Sequence, residues 1–408
     1  MKPLIIPVFV PNQGCPNLCV FCNQKKISGV LHPPTQEDVR EIIKTHLETF
    51  QDKKENKKCH RVRRPDATRG SGRSPDLPSL KKGDGSLFSK LNENNPLFPP
   101  FNKGGLGGFS TKQFSFPPPL KKGDKGGFSL SLNRPESNSF FKEVAFYGGS
   151  FTGLDQNYQK KLLETAKDEI DKGLIDGIRV STRPDYIDDE RLEILKNYGV
   201  KTIELGVQSL SDKVLESSKR GHDSSSVLKA SKLIKEYGFN LGIQLMMGLP
   251  DDNEDSLKLT VSETIRIKPD FVRIYPVLVL KETELELLYY KGMYKPLTLE
   301  ETVKLGKDIL ERFYRAGIPV IRFGLQPTDN VNLNNDVVAG PCHPSLRHII
   351  DSELAYEKMK TIIEVNGLSG KQVAFSVPQK ELSLFKGLAK ENITRLKKAC
   401  SLEDIKII

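Results

Sequence analysis

The sequence predicts an α/β fold in which parallel strands alternate with helices, followed by a small C-terminal α/β appendage. Two observations carry this prediction. Six short apolar runs are each followed by a segment of helical periodicity, and polar or glycine-rich residues come directly after these runs. The predicted strands cover residues 4–10, 143–147, 177–181, 201–207, 240–247 and 270–276.

Capping residues and apolar periodicity define the helices that follow these strands. Thr35 stands where an N-cap is expected, and Asp38 follows three residues later as the acidic partner of a capping box. In the next predicted helix, Leu162, Leu163 and Ala166 recur at the spacing of one helix face. The predicted helices cover residues 35–51, 156–171, 188–197, 212–217, 224–237, 254–267 and 299–316.

The residues beyond about position 318 depart from this strand–helix alternation. We expect a small α/β appendage over residues 319–408, because shorter apolar runs and one long helical segment replace the earlier pattern. Its predicted strands cover 320–323, 372–377 and 404–408, and its predicted helices cover 346–365 and 380–397.

Length and composition restrict the class of protein. The chain has 408 residues, of which 37% are hydrophobic, so it can form one large domain or two ordinary ones with a real core. No run approaches the ~18 apolar residues that a membrane span needs. The six cysteines are sparse and no secretory signal is evident, so we expect a reduced, cytoplasmic environment.

The net charge of +10 is concentrated in one segment, residues 52–139, whose composition differs from that of the rest of the chain. This segment contains 18 of the 62 basic and 8 of the 52 acidic residues, which leaves 44 of each elsewhere. It also holds 10 of the 26 prolines and repeats an 11-residue unit at 79–89, 100–110 and 119–129. Such Gly/Pro/Lys-rich units cannot bury a face. We therefore predict a disordered, low-complexity insertion, with a nucleic-acid or partner tail as the alternative.

Three cysteines on one loop provide the most specific signal. Cys15, Cys19 and Cys22 lie within eight residues, directly after the first predicted strand. Soft thiolates on a short loop suit an iron–sulfur cluster, and three of them leave one iron of a [4Fe–4S] cluster open for chemistry. A structural zinc site, which usually needs a fourth Cys or His at a characteristic spacing, and inert thiols are the alternatives.

Other candidate residues lie at the ends of later strands, which share one edge of a parallel sheet or barrel. The pair Gly148 and Gly149 allows close backbone approach to a ligand, although a tight turn explains it equally well. Gln208 ends a strand, and Arg220 offers a planar fork for a carboxylate. Gln244 ends a run that is apolar enough to be a buried parallel strand.

These motifs resemble the radical SAM superfamily, and in particular the radical SAM domain of the Elongator catalytic subunit. The spacing Cys-x3-Cys-x2-Cys is shared with the superfamily, whereas oxygen-independent coproporphyrinogen oxidases share only several of the blocks. The resemblance implies a partial (β/α)6 TIM-like barrel over residues 1–51 and 140–318, a [4Fe–4S] cluster and S-adenosyl-L-methionine. The stretches that carry it are residues 15–22, 146–151, 181–186, 203–209 with 220–222, and 273–276 with Tyr294 and Lys295.

The resemblance also implies roles for individual residues. Cys15, Cys19 and Cys22 are expected to ligate the cluster, and Phe21 to shield it and touch the adenine. The expected contacts with S-adenosylmethionine come from residues at the strand ends, namely Gly148, Gly149, Ser150, Ser181, Gln208, Arg220 and Gln244. Ser181 stands where the family often has Glu. The chain also has no recognisable acetyltransferase domain after the barrel, unlike the Elongator subunit.

The predicted function is that of a radical SAM enzyme, which reductively cleaves S-adenosylmethionine at a [4Fe–4S] cluster to a 5′-deoxyadenosyl radical and uses this radical to modify RNA, with tRNA as the expected substrate. The expected partners are a tRNA substrate and a low-potential electron donor such as ferredoxin or flavodoxin. Residues 377–393 resemble a KH-type RNA-binding helix pair, although Lys390 replaces the second glycine of its loop. The alternatives are an enzyme that acts on a small metabolite or tetrapyrrole, and a non-catalytic RNA-binding protein that carries a cluster.

Overall fold

A computed structural model describes residues 4–11, 14–16, 19–23, 30, 32–62, 141–325 and 336–408, without the side chains of 51–62. Two compact units divide the chain, Met1–Asn56 with Ser139–Ile408 and Lys57–Asn138. Apart from the end of the first helix, all described elements belong to the first unit. The predicted insertion at 52–139 lies almost entirely outside the described residues, so its character stays a prediction.

A seven-stranded sheet forms the centre of the fold. Its strands run in the order β1-β2-β3-β4-β5-β6-β8, and every neighbouring pair is parallel. This curled, partial barrel confirms the predicted α/β fold class. The strands are β1 (Leu4–Val10), β2 (Lys142–Gly148), β3 (Gly177–Thr182), β4 (Val200–Gln208), β5 (Asn240–Met247), β6 (Phe271–Pro276), β7 (Val279–Leu280) and β8 (Val320–Phe323).

The sheet has one strand more than the six that the sequence predicts. β8 pairs with β6, with Val272 opposite Val320, although its residues were expected to belong to the appendage. A four-residue strand gives almost no periodic signal, and only pairing with a distant strand assigns it to a sheet. β7 pairs antiparallel with the short strand β9 (Val337–Ala339), and neither was predicted.

Helices pack against the sheet, and several begin at the predicted caps. The capping box at Thr35 is confirmed, because its hydroxyl accepts from the Asp38 backbone N–H at 3.2 Å and the Asp38 carboxylate accepts from the Thr35 N–H at 2.8 Å. The helices are α1 (Gln36–Val62), α2 (Gln156–Asp171), α3 (Asp189–Asn197), α4 (Asp212–Ser217), α5 (Ser224–Glu236), α6 (Glu254–Ile267), α7 (Glu284–Tyr290), α8 (Leu299–Arg315) and α9 (Leu346–Val365).

Helix α1 extends eleven residues beyond its predicted end at residue 51. The extension is consistent with the sequence, because residues 52–62 contain neither glycine nor proline and the first proline follows at position 65. The predicted boundary relied on the change in charge and composition, which does not stop a helix.

The C-terminal residues form their own small core next to helix α9. Strands β10 (Gln372–Phe375) and β11 (Asp404–Ile407) pair in parallel and pack with Met359, Ile363 and Leu396. The single helix predicted over 380–397 is wrong, because it is divided into α10 (Leu382–Lys386) and α11 (Glu391–Ala399).

The break between α10 and α11 has a local cause. Gly387, Ala389 and Lys390 have positive φ angles of 74°, 48° and 65°, which no α-helix accommodates. The buried Asn392 amide donates to the carbonyl of Leu384 at 3.3 Å and so stabilises the end of α10. A helix pair around a tight loop is therefore present, whereas RNA binding by it stays a prediction.

Candidate active site

The cysteine loop follows β1 and is anchored by its backbone. Val20 is buried, its N–H donates to the Ser218 carbonyl at 3.3 Å, and its carbonyl accepts from the Leu285 N–H at 2.8 Å. The side chain of Val20 packs in an apolar cluster with which Phe21 is in contact. This anchor places Cys19 in a buried position and leaves Cys22 partly exposed and Cys15 exposed.

Glycines let the start of this loop pack directly on the end of β2. Gly14 has a φ of +73°, and a Cβ there would lie 2.0 Å from the Ser150 carbonyl oxygen. Gly148 has a φ of +120°, and its Cβ would lie 2.5 Å from the Val10 carbonyl oxygen, which accepts from the Gly149 N–H at 3.1 Å. The glycines are therefore explained by backbone approach, and their predicted contact with a cofactor stays a prediction.

Ser150 belongs to a buried hydroxyl cluster between β2 and β3. Its hydroxyl lies 2.8 Å from the Thr182 hydroxyl and accepts from the Arg183 backbone N–H at 3.3 Å. Thr152 lies 2.5 Å from Thr182 and donates to the Tyr186 carbonyl. These bonds fix the two strand ends against each other beside Cys15.

Cys19 is in direct contact with Arg220. The guanidinium donates through Nη1 to the Cys19 Sγ at 3.1 Å and through Nη2 to the Gly206 carbonyl at 2.7 Å. Although Cys15 is exposed as a residue, desolvation of its thiol by the surrounding protein raises its pKa, and the charges of Arg183 and Arg220 act in the opposite direction by favouring the thiolate. Thiolates are the form that binds iron, so these two arginines favour the ligating state.

The donor chemistry of the three thiols suits the cluster that their spacing predicts, and their role as ligands stays a prediction. In the described part of the chain, no three Cys, His, Asp or Glu side chains converge tightly enough to hold one metal ion. An iron–sulfur cluster does not need such convergence, because each thiolate binds a different iron. The Arg183 Nη1, which is buried and has no hydrogen-bond partner among the described residues, adds an available donor at this site.

Gln208 adopts a conformation that side chains rarely take. Its φ is +68°, and the register between β4 and β5 shifts at this position. Left-handed backbone at a non-glycine residue costs about 1–2 kcal/mol and is common at functional sites. In this conformation the buried Gln208 side chain lies over Gly206, on the same side of the sheet as the Arg220 guanidinium.

A buried ionic network occupies the interior of the partial barrel, below the cysteine loop. Glu204 is completely buried and accepts from Arg179 at 2.8 Å, Arg273 at 2.9 Å, Tyr147 at 3.2 Å and Gln244 at 2.8 Å. Burial alone would raise the pKa of Glu204, but Arg273 and Arg179 lower it below its ordinary value. The carboxylate is therefore charged and has its hydrogen-bonding capacity filled.

Two predicted cofactor contacts belong to this network. The Gln244 amide donates to the Ser181 hydroxyl at 3.2 Å as well as to Glu204. Both donations come from Nε2, so the carbonyl oxygen of Gln244 remains the group that this side chain offers to a ligand. The Arg273 guanidinium lies 5.3 Å from the ring centre of Tyr147 and 5.8 Å from that of Tyr275, so two aromatic rings also border the network.

The predicted residues thus lie in two groups. The first group lies on or beside the cysteine loop and consists of Cys15, Cys19, Ser150 and Arg220. The second group lies in the interior network and consists of Ser181 and Gln244. Sequence reasoning missed Arg183 and the centre of the network. A signal was present, because four strands of the sheet each place one charged residue among apolar neighbours, namely Glu143, Arg179, Glu204 and Arg273.

His222 is a buried imidazole beside the two arginines. Its side chain is 0% exposed, and its Nδ1 lies 3.9 Å from an Asp185 carboxylate oxygen. Burial, followed by the charges of Arg220 and Arg183, lowers the pKa of His222 to about 4 from an ordinary 6.5. The folded protein therefore favours the neutral ring, and stability falls as the pH drops from 6.5 toward 4.

The change His222→Phe is expected to weaken this pH dependence. Between pH 7 and pH 5 the wild-type protein loses about 2 kcal/mol of unfolding free energy through this ring. Urea unfolding of anaerobically prepared protein at the two pH values measures the loss, with the exposed His32→Asn as the control. An equal loss in wild type and His222→Phe would contradict the assignment.

Among the helices that the structure describes, none combines the length and apolar character needed to cross a lipid bilayer. This finding concerns only the described part of the chain.

Comparison with known proteins agrees with the resemblance drawn from the motifs. A family model described as the radical SAM superfamily matches residues 134–263, and one described as the Radical_SAM C-terminal domain matches residues 269–356. Together they cover the barrel strands from β2 onward and part of the following helices.

The curated relatives described here are between 27% and 36% identical to the chain over their aligned residues. A tRNA uridine(34) acetyltransferase of Methanocaldococcus jannaschii is 29% identical over 197 residues, 43% of this chain and 36% of the relative. An uncharacterized protein of the same organism is 36% identical over 33% of this chain and 43% of its own. Elongator complex protein 3 of Bos taurus is 27% identical over 54% of this chain and 42% of its own.

The matched region therefore spans less than half of the length of each of these relatives. The two family models together cover the strands that carry the interior network. With the family matches, these relatives confirm the predicted resemblance: the chain contains a radical SAM domain and a Radical_SAM C-terminal domain, is an enzyme, and is similar to the Elongator complex protein 3 group.

Proposed function

We propose that this enzyme binds a [4Fe–4S] cluster through Cys15, Cys19 and Cys22 and uses S-adenosylmethionine to modify tRNA. When bound, the cluster and S-adenosylmethionine supply a one-electron cleavage that yields methionine and a 5′-deoxyadenosyl radical. The observation that supports the proposal most is the docking of the three-cysteine loop onto the carboxyl ends of β2 and β4, through Gly14 and Arg220. Active sites of α/β barrels are assembled at this edge.

The residues of the chain prepare the site for this chemistry. Gly148, Gly149 and Ser150 present backbone groups beside the loop, and Phe21 packs with Val20 next to the cysteines. Apolar packing around Val20 and the buried Cys19 keeps this part of the loop away from water, and a reactive radical requires such shielding. Gln208 and Gln244 contribute amide groups that can orient a polar cofactor.

The interior network forms the floor of the proposed substrate site. Ser181, Gln244, Arg273 and Tyr275 remain partly exposed in the barrel interior, where they offer hydrogen-bonding groups and a flat cation. Arginine and tyrosine side chains suit nucleobases, because they stack on the rings and bind carbonyl oxygens. The name of one relative, tRNA uridine(34) acetyltransferase, supports tRNA as the substrate class.

Anaerobic turnover tests the proposal. Reconstituted protein is incubated with dithionite and S-adenosylmethionine, with and without total tRNA, and 5′-deoxyadenosine and modified nucleosides are quantified by mass spectrometry. We expect 5′-deoxyadenosine to form, to increase with tRNA, and to fall to background in Cys19→Ala. Absence of product above the Cys19→Ala control would refute the cleavage, whereas product without any response to tRNA would refute only the substrate class.

A further inference from the structure

Two buried arginines lie next to each other beside the cysteine loop. Arg183 follows β3 and is 3% exposed, and Arg220 follows α4 and is 6% exposed. Nη2 of Arg183 donates to the backbone carbonyl of Arg220 at 2.5 Å, so the two side chains are held in one arrangement. The predicted metal ligands Cys15 and Cys19 are their neighbours on the loop.

Each arginine acts on the thiols in a different way. Arg220 donates a hydrogen bond to the Cys19 Sγ, which is a direct contact with one predicted iron ligand. Arg183 makes no such bond among the described residues, but its hydrogen bond to the Arg220 carbonyl holds its charge next to the guanidinium that contacts Cys19. In a buried setting, where water screens poorly, such charge interactions are stronger than at the surface.

The charges around the thiols do not cancel. Asp185 is the acidic partner of Arg183, with both contacts at 2.9 Å, and it is 26% exposed on its side chain. His222 packs near both arginines and adds no charge when its ring is neutral. Two guanidinium groups and one partly solvated carboxylate therefore lie beside the loop among the described residues, which leaves a net positive wall.

We propose that Arg183 and Arg220 raise the reduction potential of the cluster held by Cys15, Cys19 and Cys22. Reduction adds one electron, supplied by the electron donor, and makes the cluster more negative, so nearby buried cations stabilise the reduced state. The potentials of iron–sulfur clusters depend on net charge and on hydrogen bonds to the sulfurs, and this wall provides both. The inference rests on the proposed cluster but does not depend on the substrate.

The proposal is tested by redox titration with dithionite and mediators, in which electron paramagnetic resonance reports the reduced cluster. The test variants are Arg183→Gln, Arg183→Lys and Arg220→Lys, and the control is Arg266→Gln on the outer helix α6. We expect Arg183→Gln to lower the ratio of reduced to oxidised cluster about tenfold at a fixed potential, equivalent to about 59 mV for one electron. Arg183→Lys, which keeps the charge, is expected to stay within about threefold of wild type, and Arg220→Lys to show a smaller fall.

Each outcome of the titration decides the proposal. If Arg183→Gln and Arg220→Lys were reduced at the same potential as wild type, the proposal would be overturned. It would also be overturned if Arg266→Gln lowered the ratio of reduced to oxidised cluster as much as Arg183→Gln does. If Arg183→Gln does not hold iron, the titration of Arg220→Lys alone decides whether the proposal stands, because this variant loses the hydrogen bond to Cys19 but keeps the charge. A wild-type protein that holds no cluster would refute the proposed function as well, whereas normal cleavage with unchanged potentials would refute this inference only.

Discussion

Replacement of Gly14 by alanine is expected to abolish cluster incorporation. The added Cβ would lie 2.0 Å from the Ser150 carbonyl oxygen and 2.8 Å from the Gly153 carbonyl carbon, both backbone atoms that cannot rotate away. The φ of +73° adds about 1–2 kcal/mol of strain for a residue with a side chain. The loop must then leave the end of β2, and Cys15 moves with it.

Iron and sulfide analysis after anaerobic reconstitution measures this effect. Gly173→Ala is a matched control, because Gly173 has a φ of +71° but no heavy atom within 4 Å of the position of its Cβ. The control carries the same backbone strain without the clash, so it should lose about 1–2 kcal/mol of stability and keep its iron. Equal iron content in Gly14→Ala and Gly173→Ala would show that loop docking is not required for the cluster.

Removal of the Glu204 carboxylate is expected to be the most destabilising change in the barrel interior. Glu204→Ala leaves the Arg273 guanidinium buried without its carboxylate, and Arg179 retains only Glu143. Removing one partner of a buried ion pair costs about 3–5 kcal/mol, because the remaining charge is uncompensated. This loss of unfolding free energy is a large part of the total stability of an ordinary domain.

Chemical denaturation with a second variant separates charge from packing. The double change Glu204→Leu with Arg273→Leu removes both charges and should recover much of the stability lost in Glu204→Leu alone. The exposed Glu41→Ala should remain within about 0.5 kcal/mol of wild type. A Glu204→Ala protein as stable as Glu41→Ala would mean that the network contributes nothing to the fold.

The order of elements could be predicted from the sequence because it depends on local patterns. Apolar runs such as Asn240–Met247 and caps such as Thr35 with Asp38 are visible without knowledge of the partner. Helix α7 was missed since it has only seven residues and leaves Leu287 and Tyr290 exposed. β7 and β9 were missed because strands of two and three residues are defined only by their pairing across the chain.

The candidate site shows the same division between local and long-range information. The cysteine spacing is a covalent property of the chain, so Cys15, Cys19 and Cys22 were visible at once. The network around Glu204 was not, because it depends on the register that brings β2, β3, β4, β5 and β6 side by side. The contact of Arg220 with Cys19 joins residues 201 positions apart, and no local pattern encodes it.

The central claim is that three cysteines hold a cluster with one iron left open for S-adenosylmethionine. Electron paramagnetic resonance of the reduced, reconstituted protein with and without S-adenosylmethionine tests it most directly. We predict a [4Fe–4S] signal whose g-values change on addition of S-adenosylmethionine and that is lost in Cys15→Ala, Cys19→Ala and Cys22→Ala. A spectrum without a cluster signal, or one that S-adenosylmethionine leaves unchanged, would contradict the account.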